Sequence, residues 1–265
     1  MRTAFCALAL VVLAALPARA QEDEAARAER WRVLSQTVFG DRKVEDGAGI
    51  IQLDAPSRAL DAALVPIGVT ITGDRPIQAL YILIDGNPSP LAGTFHFGPA
   101  ADPHSLKLRV RVDQYTLMHA VAETADGHLY VAESFVKAAG GCSAPATEDA
   151  ALALTRLGQM KLRSQGGVTP GRPATAELLI SHPNANGMQM DQVTRNYTPA
   201  RFIQTVQVTY GGTKVFDLDA DISLSEDPAI TFGFLPNGPG PLDVRVEDSR
   251  QTVWTHSFTV PPQAS

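Results

Sequence analysis

Cys142 sits mid-chain in "AAGGCSAPA" (138–146), a segment made almost wholly of small residues. A thiol does its chemistry as the thiolate, which captures electrophiles or oxidised sulfur. The neighbours are too small to bury the segment, and Gly140-Gly141 free its backbone. These residues predict an exposed, mobile arm with a reachable thiol, unlike the usual cysteine, which is a buried small hydrophobe. The competing reading is an incidental loop cysteine between two domains. No hydrolase dyad accompanies it. Lys137 is the nearest cation in sequence, Glu148 and Asp149 oppose thiolate formation, and His96, His104, His119, His128, His182 and His256 fall in no nucleophile–base pattern. Gly238-Pro239-Gly240 lies in a turn, so no phosphate or dinucleotide loop is present. The sequence predicts no catalytic residue, no cofactor and no metal centre.

The N-terminus sets the expected compartment. Arg2, an apolar run from Ala4 to Leu16 and an A-x-A site at Ala18-Arg19-Ala20 predict a signal peptide over 1–20, cleaved on export. That run is too short for a membrane span. Removing it removes Cys6 and leaves Cys142 as the one cysteine of an exported, periplasmic chain, a thiol free for reaction or intermolecular pairing. The formal charge of −6 becomes −8 without Arg2 and Arg19. With no basic stripe to neutralise phosphates, a nucleic-acid partner is excluded.

The elements that would position the thiol are mostly strands. Residues 22–39 predict a helix with an apolar stripe of Ala28, Trp31, Leu34 and Val38. From Val65 the period becomes two: 65–71, 79–85, 93–97 and 105–112 read as strands, with Leu106, Leu108, Val110 and Val112 inward and Lys107, Arg109 and Arg111 outward. Asp126-Gly127 marks a hairpin. After the arm, 146–158 predicts a short linker helix with Thr147 as N-cap and Gly158 as its stop. A second β region follows: 159–164, 175–181, 202–210, 214–220, 229–235, 241–248 and 252–260. Both regions end in a hairpin whose return strand carries Ser-Phe (Ser134-Phe135, Ser257-Phe258), so the halves read as two similar domains. No helix separates successive strands, which excludes a parallel α/β fold. The expected class is all-β, two immunoglobulin-like sandwiches in tandem. Their boundaries are 21–145 with the N-terminal helix and arm, the 146–158 linker, and 159–265.

The segment 181–203, "SHPNANGMQMDQVTRNYTPARFI", is long and polar for a compact β domain, and such loops carry function. Its expected role is to organise the surface between the halves through His182, Pro183, Pro199 and Phe202. A weaker reading takes His182, Met188 and Met190 as soft-metal ligands for copper.

These residues support a resemblance. From about Val65 to Cys142, "VPIGVTI", "IDGNPSPLAGTFHF", "LKLRVRV" and "DGHLYVAESFVKAAGGC" resemble SoxY, the sulfur-carrier subunit of bacterial thiosulfate oxidation. From about Met160 to Val260, "SHPN", "TPARFIQTVQVTYGGTKVF" and "SEDPAITFGF" resemble its partner SoxZ. The whole resembles fused SoxYZ-like carriers associated with quinoprotein dehydrogenases. The resemblance implies immunoglobulin-like folds, packing of the SoxZ-like half against the carrier half, and a non-enzymatic role. Cys142 would hold a sulfur-containing or other small group on an arm hinged at Gly140 and Gly141, and present it to periplasmic redox enzymes. The alternative is an accessory protein for a quinoprotein dehydrogenase or its cytochrome, with Cys142 dispensable. The chain departs from SoxY in continuing past the cysteine through Ser143-Ala144-Pro145.

Overall fold

The computed structural model describes residues 18–145, 150–164, 167–191 and 194–261. The expected signal sequence up to residue 17, with Cys6, and the expected cap at Thr147 lie outside these residues. The first half comprises α1 (Ala18–Phe39), β1 (Val44–Asp46), β2 (Ile51–Asp54), β3 (Val65–Ile71), β4 (Ile77–Ile84), β5 (Leu91–Phe97), β6 (Ala101–Val110), β7 (Thr116–Thr124) and β8 (Leu129–Val136). The second comprises α2 (Ala150–Thr155), β9 (Met160–Ser164), β10 (Ala174–Ile180), β11 (Ile203–Tyr210), β12 (Thr213–Ala220), β13 (Ala229–Phe234), β14 (Pro241–Asp248) and β15 (Val253–Thr259). The architecture is all-β, with one helix leading each half. The alternating stretches are strands, because period-two patterns bury one face of a pleated ribbon.

Two sheets run through both halves. One has nine strands in the order β1-β8-β7-β4-β5-β12-β11-β14-β15, the other six in the order β2-β3-β6-β13-β10-β9. Apart from β1, each order reads alike from either end. β8, β7, β4 and β5 correspond to β15, β14, β11 and β12, and β2, β3 and β6 to β9, β10 and β13. The halves thus repeat one topology, and the two Ser-Phe hairpins occupy equivalent places. They meet edge to edge, through β5–β12 (Leu218 opposite Phe95) and β6–β13 (Phe232 opposite Leu106). Buried residues from both sheets and both halves form one apolar cluster that includes Leu80, Phe95, Leu106, Phe216, Phe232 and Val246.

Helix α1 lies on the outer face of the nine-stranded sheet, where Trp31, Leu34 and Val38 pack with Phe39, Leu83, Val121 and Leu129. Ala28, placed on the same stripe by spacing, is exposed. Trp31 stacks on the buried His119 at 3.8 Å between ring centroids. Gly40 stops the helix in the left-handed region (φ 64°), with its N–H donated to the Gln36 carbonyl. At the far end of α2, Gly158 (φ 76°) allows a close approach of the Trp254 indole, which any Cβ there would overlap. The outward assignment of Arg111 needs correction. It is 1% exposed, because the second half closes over the end of β6.

Candidate functional site

Cys142 is 0% exposed, which corrects the expectation of an exposed thiol on a free arm. The physical reason lies in the small residues themselves. The segment after β8 runs between two neighbouring stretches, and only a chain without bulky side chains fits there. Ala59 N–H donates to the Lys137 carbonyl, Gly140 N–H to the Asp113 carbonyl at 2.7 Å, and Gly141 N–H to the Val112 carbonyl at 2.9 Å. Gly141 is wedged so tightly that a Cβ would overlap the Ala62 carbonyl oxygen. Gly140 is different: it is exposed, has φ 79°, and a Cβ there meets nothing within 4 Å. One glycine supplies the turn and the other the close approach.

The second half completes the enclosure. Asn186 Nδ2 donates to the Cys142 carbonyl at 2.7 Å. Asn186 is itself fixed: its N–H reaches Gln189 Oε1, and its Oδ1 accepts from Met188 N–H at 2.9 Å. Asn87 binds across the junction, donating to the Arg111 carbonyl at 2.7 Å and to Ser223 Oγ at 2.9 Å, while accepting from Asp113 N–H. Arg111 sends its guanidinium to backbone carbonyls of the second half, with Nη1 to Asn184 at 2.8 Å and to Leu224 at 2.7 Å, and Nη2 to Pro183 at 3.4 Å.

Burial pushes the Cys142 thiol up to about 11; the Asp113 carboxylate adds to this and Arg111 opposes it. At neutral pH about one thiol in 10,000 is then ionised in this state. In this buried position the thiol is protonated at neutral pH, the less nucleophilic form.

The predicted loop residues divide. His182 is buried: its Nδ1 accepts Asn184 N–H at 3.0 Å, and its Nε2 faces Asp248 at 3.6 Å, too far for a hydrogen bond. Burial pushes its pKa down to about 4, against the pull of Asp248. Both ring nitrogens face protein groups, and nothing in this geometry supports copper ligation by His182. Asp248 is held below the usual carboxylate range despite its burial, by Arg201 Nε at 2.6 Å and the N–H groups of Thr252 and Arg250. Pro183 offers its carbonyl to Arg111. Pro199 is exposed, and Phe202 exchanges hydrogen bonds with Ser249 of its own half.

Arg111, Asn87 and Asn186 went unrecognised in the sequence. Arg111 has the period of an outward residue, and Asn87 and Asn186 stand in turn sequences, Gly86-Asn87-Pro88 and Asn186-Gly187. Only the meeting of the halves reveals what they hold.

Fold and site together define a class: an all-β protein in which two like halves enclose a single thiol at the end of the first. Comparison with known families names the halves. The profile of sulfur oxidation protein SoxY matches residues 35–142, ending on the cysteine, and that of sulphur oxidation protein SoxZ matches residues 162–259. The chain is a fusion of a SoxY-like and a SoxZ-like domain, an arrangement that supports a SoxYZ-like sulfur-carrier function without catalysis of its own. A search of curated protein sequences finds no match. Among solved structures, the sulfur carrier protein SoxY from Chlorobium limicola f thiosulfatophilum is 25% identical, with 44% of this chain and 99% of that chain covered and a TM-score of 0.39. A superoxide reductase (neelaredoxin) from Ignicoccus hospitalis is 16% identical over 34% of this chain and 82% of that one, with a TM-score of 0.31.

Proposed function

We propose that this chain is a periplasmic covalent carrier that holds a sulfur-containing or other small group on Cys142 and presents it to partner redox enzymes. The observation that carries this reading is the SoxY match ending on the chain's only described cysteine, with a SoxZ-like half closed over it. Export by the 1–20 segment, immunoglobulin-like closure of each half and association with a quinoprotein dehydrogenase belong to the same proposal. Among the described residues, no helix is long and apolar enough to cross a membrane.

The closed arm adds a condition to this role: loading requires the arm to lift. Three hydrogen bonds must break, those of Gly140, Gly141 and the Asn186 amide. At about 0.5–1.5 kcal/mol each, together with re-exposure of the thiol, opening costs roughly 2–5 kcal/mol. The open form is then about one molecule in 30 to one in 5,000, and in it the thiol regains an ordinary pKa near ~8.5. A partner that binds the open arm draws the equilibrium over.

Burial of the thiol also favours a second reading, a binding module for the dehydrogenase or its cytochrome in which Cys142 only packs. Mass spectrometry of protein taken from the native periplasm without reductant separates the two. A reductant-sensitive adduct on the Cys142 peptide, absent from Cys142→Ser, supports the carrier, and its mass identifies the load. A bare thiol together with an unimpaired Cys142→Ser strain rules the carrier out.

A further inference from the structure

Arg111 is the largest fully buried side chain near the thiol, and among the described residues no carboxylate is in hydrogen-bonding contact with it. Its acceptors are the carbonyls of Pro183, Asn184 and Leu224, and its buried Nε–H has no acceptor. A guanidinium stays charged in any protein, and burying it without a hydrogen-bonded counter-ion is costly. A buried N–H left without an acceptor calls for an explanation, a bound ion among them, and a guanidinium binds anions through strong charge-assisted hydrogen bonds. Backbone pairing brings Cys142 into register with Arg111. Gly141 pairs back to Val112, the residue after Arg111. The guanidinium rests on the Asn184 carbonyl, and the Cys142 carbonyl is held by Asn186 two residues on. The Glu226 carboxylate bears on Arg111 without a hydrogen bond to it, and a negative charge at Cys142 would add to that pull. Asp113 repels negative charge at the thiol, but it is partly exposed and water screens it, whereas Arg111 is sealed from solvent.

Resting on the carrier reading, we propose that Arg111 is the counter-ion of the loaded arm: the group carried on Cys142 bears a negative charge, and Arg111 holds it through the free Nε–H when the arm closes. Arg111 is then a positioning residue that selects anionic loads over neutral or cationic ones. It also ties load recognition to the second half, because the carbonyls that orient the guanidinium all come from there.

The test chemically loads the full-length protein carrying Cys6→Ser, so that Cys142 is its one thiol and the result stands apart from whatever loads it in the cell. The Cys142 thiolate attacks the sulfenyl sulfur of a methanethiosulfonate. A Cys142 S–S bond forms, the reagent's S–SO2 bond breaks, and methanesulfinate leaves with the electron pair. The thiol proton passes to water. One sample receives the sulfonatoethyl reagent and the other the trimethylammonioethyl reagent. Release of each adduct by dithiothreitol is then timed in the native protein and in the urea-unfolded chain. Dividing native by unfolded rates removes the intrinsic reactivity of each disulfide.

In the wild type, the closed arm should protect the anionic adduct about tenfold more than the cationic one, the scale of one charge-assisted hydrogen bond. Arg111→Met should bring that ratio to about one, and Arg111→Lys should restore part of it. A merely structural role would lower protection of both adducts alike and leave their ratio unchanged. A wild-type ratio of one, or a ratio unaltered in Arg111→Met, overturns the proposal. Should Arg111→Met fail to fold, the wild-type ratio and Arg111→Lys decide it. Failure of the carrier reading shows separately, as native protein that never bears an adduct.

Discussion

The two halves share a strand order and differ in what is hung on it. In the first, β3 and β4 are joined by the short stretch 72–76; the equivalent strands β10 and β11 are joined by 181–202. The first half covers the outer face of its sheet with α1, whereas the equivalent face of the second half shows Gln207, Thr209, Asp243, Arg245 and Thr255 along an open groove. After β8 the chain turns into the cysteine arm; after β15 the described chain stops at Pro261. The difference teaches that the repeated strands supply a frame, and that the connections have been specialised in opposite directions. One half offers a thiol. The other carries a longer loop, whose Asn186 reaches across to the Cys142 carbonyl.

The comparison breaks most visibly at Gly141. If the arm is seated by close approach, Gly141→Val has no room against the Ala62 and Val112 carbonyls. The arm should be expelled while the sheets stay folded, and thiol labelling by Ellman's reagent should accelerate at least ~30-fold. Unchanged labelling with an intact fold would show that the segment is not packed as described.

The second half has its own sensitive point in His182. Its folded pKa of about 4 lies below its unfolded value of ~6.5, so between these the folded state binds fewer protons than the unfolded chain. The stability it protects is complete above pH ~6.5 and is lost as pH falls through about 4, amounting to ~2–3 kcal/mol. Urea unfolding at pH 7 and pH 4.5 should show this loss in the wild type and a smaller one in His182→Asn. Equal losses in both proteins would remove His182 as the cause.

A smaller effect sharpens the boundary between the halves. Asn186→Ala deletes the side-chain hydrogen bond from the long loop to the Cys142 carbonyl, worth about 1 kcal/mol. Labelling should rise roughly fivefold with little change in global unfolding. A rise as large as that for Gly141→Val would mean that the loop alone holds the arm down.

Much of this frame was legible in the sequence, because alternation and turn residues are local signals. Leu106, Leu108, Val110 and Val112 announced β6, and Asp126-Gly127 announced the β7–β8 hairpin. The exposure of the arm was misread for a definite reason. Small residues argue equally for a segment with nothing to pack and for one that must slip between two backbones, and local composition cannot choose between them. Gly141 decides it, through the carbonyls of Ala62 and Val112, residues distant in sequence. Arg111 was hidden in the same way, since periodicity reports which face a side chain takes and not what later covers that face. The short strands β1 and β2 gave too few residues for a period to register.

The edge-to-edge junction has a consequence for how the chain is born. β5 and β6 are interior strands in the finished protein, but each is a bare edge until its partner arrives. The N-terminal half therefore waits with two unpaired rows of amides and carbonyls while everything up to Ala229 emerges. Open edges recruit any strand within reach. Joining the halves in one polypeptide ensures that the nearest strand to arrive is the right one.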